Sequence, residues 1–206
     1  MTPVDIANRI QNYFNNPTYY TSDDLNASIQ DGYDEIGAFS GLFLKGASIP
    51  FVANLSYYDM ISLLPDYIGV VAVFNTGIKR WMTPCGVNRF DKDRIDWEVA
   101  TGVPYFFSVV SHRYMAIYKK PAVPNYGNMY IFYRAASPTL GPSDELAIPL
   151  DYINTLDDYI LTDLWSQNQE WTKSQNNQES YIKNLKQLQT WIREQRNPDR
   201  IPMLMP

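Results

Sequence analysis

Cysteine and histidine are nearly absent from this chain: Cys85 and His112 are the only ones. A single thiol excludes an intrachain disulfide and fits a reducing compartment. A single imidazole excludes a metal site built from several histidines and leaves a catalytic centre no spare base. Long apolar runs are missing too. No stretch approaches the roughly 20 residues needed to cross a bilayer. Met1-Thr2-Pro3-Val4-Asp5 lacks the basic-then-apolar start of a signal peptide, so neither a membrane span nor a leader is expected. The 10 glycines are scattered, and no Walker-type loop, G-x-G-x-x-G, G-x-S-x-G or H-E-x-x-H occurs. Lys and Arg number 17 against 22 Asp and Glu, for a net charge of −5. That balance argues against the outside of a nucleic-acid duplex as the main partner.

What is abundant is amphipathic aromatic surface, with 16 Tyr and 5 Trp. Such side chains suit contact surfaces that are partly apolar and partly wet, or they fill a core. A chain of 206 residues can bury one good core, or one core plus a small inserted module. The stretch that organises it is Ile148–Arg196. Pro149 opens a helix, tolerated there because the N–H it lacks would be unpaired anyway. Tyr152, Ile153, Leu156, Tyr159, Ile160 and Leu164 then recur at three- and four-residue spacing and make one apolar face. A polar bend at about Asn168–Ser174 leads to a second helix with Tyr181, Leu185, Leu188 and Ile192 on one side. Asn197-Pro198 stops it.

Nearer the N-terminus, Thr2, Pro3 and Asp5 start a helix over Thr2–Asn15. Its stripe is Val4 or Ile6, then Ile10, Tyr13 and Phe14, and Pro17 ends it. A second helix starts at Thr21-Ser22-Asp23-Asp24, with Ser22 or Thr21 as the cap and acids where the dipole favours them. Leu25, Ile29, Tyr33, Ile36, Phe39 and Phe43 give it a face to about Leu44, and Gly32 and Gly37 inside it predict close helix packing. From Ser48 to Leu140 short β-rich runs take over. Phe51–Tyr58 alternates loosely. Tyr67–Phe74 and Ile78–Thr83 flank Asn75-Thr76-Gly77 as a hairpin. Asp91–Val99 is a candidate short helix, and Pro104–Val110, Tyr114–Tyr118 and Met129–Arg134 are strands. The fold class expected is α+β: a bundle of N- and C-terminal helices (1–47 with 146–196), an inserted small antiparallel β-sandwich or barrel module (48–145), and an extended C-terminal arm (197–206).

Chemistry is harder to find. A Cys85–His112 nucleophilic pair has no motif around either residue, and a buried thiol and a turn histidine are the simpler reading. Asp157 with Asp158, or Asp91 with Asp93, can be drawn as paired carboxylates or magnesium ligands, but solvated helix and loop acids account for them better. No catalytic residue, metal or cofactor is assigned.

Charge distribution says more. Residues 1–45 carry six acids against two bases, and residues 171–206 six bases against three acids. Exposed acids such as Asp23, Asp24 and Asp31 would meet Lys183, Lys186 and Arg193 of another copy, and a rotation that closes gives a ring. The last residues, Asn-Pro-Asp-Arg-Ile-Pro-Met-Leu-Met-Pro, hold three prolines and too much apolar surface for a solubilising tail. Such an arm folds back on its own domain or docks in a partner's groove.

A helix after Ser22-Asp23-Asp24-Leu25, an inserted β module, and then Ile148-Pro149-Leu150-Asp151-Tyr152 opening a helical pair with a projecting tail resembles tailed-bacteriophage head-to-tail adaptor proteins. These are also called connectors or, in short-tailed phages, tail gatekeepers. Ser22–Leu44 and Ile148–Arg196 carry the likeness. The resemblance implies a non-enzymatic virion protein of the neck, made in the host cytoplasm and without membrane contact. It implies a homo-oligomeric ring of about twelve copies between the portal protein and a tail tube or nozzle. DNA would pass through the lumen unbound during ejection, and a net acidic chain suits that conduit. Arg196, Arg200, Ile201, Met203, Leu204 and Met205 would then meet the portal. The alternative reading is a monomeric module that binds a sugar or peptide through Trp81, Trp97 and tyrosines of the β region.

Overall fold

The computed structural model describes residues 1–14, 20–88, 98–122 and 126–195. The expected contacts at Arg196, Arg200, Ile201, Met203, Leu204 and Met205 lie outside these residues, as do Trp97, Asp91 and Asp93. In chain order the elements are α1 (Pro3–Phe14), α2 (Ser22–Ser40), β1 (Leu44–Pro50), β2 (Tyr57–Asp59), α3 (Met60–Leu63), β3 (Tyr67–Asn75), β4 (Arg80–Trp81), β5 (Thr83–Pro84), β6 (Phe106–Val109), β7 (Tyr114–Tyr118), β8 (Asn128–Ala135), a 3-10 turn (Leu150–Tyr152), α4 (Asn154–Gln167) and α5 (Trp171–Gln195). The protein is mixed α+β, with five α-helices and two sheets among the described residues. It divides into two compact units, Met1–Phe43 with Ser137–Pro206, and Leu44–Ala136.

In the first unit the apolar stripes of four helices close on one core. Ile6 and Ile10 of α1, Leu25, Ile29 and Ile36 of α2, Leu156, Ile160 and Leu164 of α4, and Leu188 and Ile192 of α5 belong to a single buried cluster. Each such side chain contributes on the order of 1.5–3 kcal/mol by leaving water. At the start of α1, Ile6 is buried and Val4 is 46 % exposed, so Ile6 carries the stripe. The Thr2 and Asp5 side chains cap that end reciprocally, Thr2 N–H donating to Asp5 at 2.8 Å. At α2 the cap is Thr21, in a full capping box with Asp24.

The end of α2 differs from the sequence reading. The helix stops at Ser40 because Gly41 takes a left-handed conformation, φ 68°, and its N–H caps the Gly37 carbonyl. The chain then folds back and Phe43 lies over Gly37, where a Cβ would be 2.4 Å from the Phe43 ring. Phe43 meets Tyr33 edge-on at 5.1 Å and packs on the core, whereas Phe39, expected on the same face, is 64 % exposed. The bend between α4 and α5 is also shorter than expected, Asn168–Glu170, with Gln169 left-handed at φ 61°. The Ser174 hydroxyl donates back to the Thr162 carbonyl across it at 3.0 Å.

The second unit holds a sheet in the order β1-β8-β3-β4 and another in the order β2-β7-β6-β5. The pairing is antiparallel except for β5, which runs parallel to β6 through Thr83↔Phe106 and Pro84↔Phe107; the expected purely antiparallel module is corrected there. The β3–β4 hairpin is present. Fully buried Asn75 accepts from the Gly77 and Ile78 N–H groups and donates its amide to the Pro104 carbonyl, which fixes the turn. Strand β8 alternates, with Met129, Ile131, Tyr133 and Ala135 buried. Strand β7 is buried on both faces from Met115 to Tyr118.

Strand β1 carries no strand signal in the sequence, because Leu-Lys-Gly-Ala-Ser-Ile-Pro has neither alternation nor β-branched density. It is an edge strand, where the missing N–H of Pro50 costs no ladder bond on the open side. Gly46 lies under the Tyr130 hydroxyl, 2.6 Å from where a Cβ would be.

Candidate interaction surfaces

The charged positions singled out in the sequence lie on two helices of one unit. Asp23, Asp24 and Asp31 are exposed on α2, and Lys183, Lys186 and Arg193 are exposed on α5. Asp24 is engaged in its capping box. The side chains of the other five make no ion pair or hydrogen bond among the described residues. The structure therefore brings each set to a surface and leaves its charge without an ion-pair partner among the described residues.

Behind these surfaces α2 and α5 are tied by a half-buried polar contact. The Tyr181 hydroxyl donates to the Glu35 carboxylate at 2.9 Å, and burial followed by that acid pushes the Tyr181 phenol well above its usual range. Tyr159, packed edge-on against Tyr181 at 5.4 Å, is pushed up to about 12 by burial and then by Glu35, Asp163, Asp31 and Asp34. The acidic face of α2 is thus felt at a neighbouring ring, as expected where the local dielectric is low.

Two clefts flank α5. The first, about 380 Å³, is lined by Asn154, Asp157, Asp158, Leu161, Ser180, Lys183 and Asn184. Burial raises the Asp157 carboxyl, opposed by Arg9, whose Nη2 lies 2.5 Å from Oδ1. Burial also raises Asp158; the Asn184 amide, donating at 2.8 Å, opposes the rise, and the adjacent Asp157 adds to it. Both acids are thus engaged in internal contacts, Asp157 with Arg9 and Asp158 with Asn184. The second cleft, also about 380 Å³, is formed by Tyr152, Lys186, Gln187, Thr190, Trp191 and Glu194.

In the β unit the outward face of the first sheet carries an aromatic ladder. Phe74 meets Trp81 at 5.2 Å, Trp81 meets Phe132 at 5.6 Å, and Phe132 meets Tyr130 at 5.0 Å. Trp81 is half exposed. Sequence alone singled out Trp81; the β3–β4 pairing sets Phe74 opposite it, and the β3–β8 register adds Tyr130 and Phe132.

Cys85 and His112 have different surroundings. The thiol donates to the Gly86 carbonyl and packs with Ala116, Tyr118 and Phe106, whereas the imidazole stacks on Tyr67 at 5.9 Å. No group of three or more His, Cys, Asp or Glu suited to a metal occurs among the described residues. No helix among them is long and apolar enough to cross a membrane.

Residues 1–202 match the family model described as SU10 adaptor protein. The chain belongs to the SU10 adaptor protein family. This is a family of bacteriophage head-to-tail adaptors, and the match runs through both units and beyond the end of α5. Membership implies a structural adaptor of the virion neck, where such proteins meet portal and tail. The curated proteins hold no match to the chain.

Proposed function

We propose that copies of this SU10-family adaptor form a closed ring joining the portal to the tail and lining the DNA exit channel, a structural part and not an enzyme. The observation that supports it best is the unmatched charge: exposed Asp23, Asp24 and Asp31 on α2 and exposed Lys183, Lys186 and Arg193 on α5 of the same unit. Surfaces of opposite sign on one rigid unit favour a head-to-tail contact, which repeats until the rotation closes. Each such rim pair contributes little by itself, on the order of 0.2–1 kcal/mol, so several must act together. Within this reading the helices form a bundle that carries the β unit as an inserted sandwich. Residues 197–206, with Arg196, dock on the portal, and DNA passes without specific binding.

The test is assembly on a purified portal, followed by sedimentation. Lys183→Glu with Lys186→Glu should lower assembly at moderate salt, and adding Asp23→Lys with Asp31→Lys should restore it. Removing residues 197–206 should abolish portal attachment while leaving the fold intact. Full assembly by the Lys→Glu protein would refute the charge pairing, and unchanged attachment without the arm would refute its docking.

The aromatic ladder Phe74–Trp81–Phe132–Tyr130 supports a second reading, a module that binds a sugar or peptide on the open sheet face. That reading predicts a monomer beside any portal and a specific ligand on a glycan array, lost in Trp81→Ala.

A further inference from the structure

The cleft formed by Tyr152, Lys186, Gln187, Thr190, Trp191 and Glu194 shares Lys186 with the basic surface of α5, but its aromatic wall takes no part in the charge pairing. Its apolar wall is made by two rings, Tyr152 and Trp191, 5.7 Å apart and inclined at 45°. Both lie half-buried against the helical core. Next to Tyr152 the Leu150 side chain is 67 % exposed. Glu194 and Lys186 mark opposite ends, and neither has an ion-pair partner among the described residues. A ring-walled groove beside an exposed leucine is a surface that gains by being covered.

We propose that this groove is the docking site of the chain's own residues 201–205, so that the arm read above as portal-binding is held against α5 until a portal draws it away. The first support is reach. Glu194 is one residue from the end of α5 at Gln195. From Lys186 to Gln195 the helix rises about 13.5 Å, and residues 196–200 span up to roughly 17 Å when extended. Asn197-Pro198 favours a reversal at the start of that span. Ile201–Met205 can therefore run back along the groove.

The second support is chemistry. Ile201, Met203, Leu204 and Met205 are apolar, and Pro202 and Pro206 favour an extended chain that needs no sheet ladder. Methionine thioethers suit aromatic walls. The third is charge: Arg196 and Arg200 follow Glu194 closely in the chain, so both lie within reach of its carboxylate. A tether of a few residues sets a local concentration in the millimolar range, so even a weak site is filled in cis. A second copy would have to be present at a similar concentration to compete.

The test follows the Trp191 indole N–H signal by NMR in the full-length chain, assigned with Trp191→Phe. Met203→Asp with Leu204→Asp should move this signal to a new position, because the groove empties. A synthetic peptide of residues 197–206 should return it saturably in that variant and have little effect on wild type. Adding Thr190→Trp, an exposed position that fills the groove, should abolish the peptide response. The wild-type signal should not change on roughly hundredfold dilution, as a tethered site requires. If the double Asp variant leaves the Trp191 signal where it is in wild type, the proposal is wrong. If dilution alone moves the wild-type signal to the emptied position, the occupant is a second copy and the proposal also fails. The portal reading is scored separately: a portal that captures wild type and the double Asp variant alike removes the arm's portal role and leaves the groove result standing. If both readings hold, Thr190→Trp alone should bind the portal about tenfold more tightly where nine-tenths of the wild-type arm is docked.

Discussion

Gly32→Ala sets two effects of known sign against each other. In an exposed helix this change stabilises by about 1 kcal/mol, because alanine loses less backbone entropy. Gly32 is buried on α2 where α4 crosses it. A Cβ there would lie 2.6 Å from Tyr159 Cδ1 and 2.8 Å from Leu156 Cδ1. Both distances are below any that real Cβ atoms tolerate, so something must move. Leu156 is fully buried and cannot yield without displacing its neighbours. Tyr159 is half-buried but held edge-on by Tyr181. Inserting a methyl into such a contact costs about 1–3 kcal/mol, which exceeds the propensity gain. The expected net is a loss of about 1 kcal/mol, or roughly 2–4 °C in Tm for a chain of this size. Urea denaturation measures it as a lower midpoint with an unchanged slope. The double variant Gly32→Ala with Tyr159→Ser should recover part of the loss relative to Tyr159→Ser alone, since one of the two clashes is gone. Stabilisation by Gly32→Ala in the otherwise wild-type chain would refute the close approach of α2 and α4.

The remaining predictions concern charge. Burial, together with Asp157, raises Asp158 above the ordinary carboxylate range, so ionising it opposes folding: stability is greater below the unfolded pKa and falls as pH rises through the folded value. Asp158→Asn should therefore stabilise at pH 7 and do so less at pH 4, read from urea midpoints at the two pH values. Asp59 behaves in the opposite way. Arg113, at 2.6 and 2.9 Å, holds it down to about 2, so its contribution is present above the unfolded value near 4 and is lost as pH falls toward 2. Arg113→Met should flatten the acid limb of stability against pH in that window, and an unaltered limb would show that the pair does nothing there.

The helical parts were legible because their signal is periodic and local. Leu25, Ile29, Tyr33 and Ile36, and Leu156, Ile160 and Leu164, lie buried as their spacing required. Gly32 and Gly37 do mark close approaches, although Gly37 is covered by Phe43 of the following turn and not by another helix. Nothing in a 3.6-residue pattern says that Gly41 will turn left-handed and send Phe43 back over Gly37. The β unit was legible only as a run of strands. Its sheet orders depend on pairings distant in sequence, such as β1 with β8, and on a two-residue parallel contact at Thr83–Pro84 that leaves no pattern. The surfaces divide in the same way. The charged positions could be chosen because charge blocks are visible in a string. The Tyr152–Trp191 groove and the Phe74–Trp81–Phe132–Tyr130 ladder could not, since each joins residues that only folding makes neighbours.

One helix carries an unusual share of these roles, and the insertion explains why. Closing a long excursion such as Leu44–Ala136 costs entropy only as the logarithm of its length, about 0.6 kcal/mol per doubling; the larger demand is that the helical unit grip both ends. Helix α2 supplies that grip. Tyr33 packs on Phe43 where the chain leaves, and its hydroxyl accepts the Ala147 N–H after the chain has returned. Gln30 accepts the Leu140 N–H at 2.8 Å and donates to the Pro138 carbonyl, and the Ser137 hydroxyl donates to Asp34. On the same helix Glu35 receives the Tyr181 hydroxyl of α5, while Asp23 and Asp31 are exposed and have no ion-pair partner among the described residues. An inward face that fixes the returning chain and α5 holds the outward acids in a constant relation to the basic face of α5. That constancy is what a repeating contact between identical copies demands, because an error in the angle between the two surfaces accumulates with every copy added.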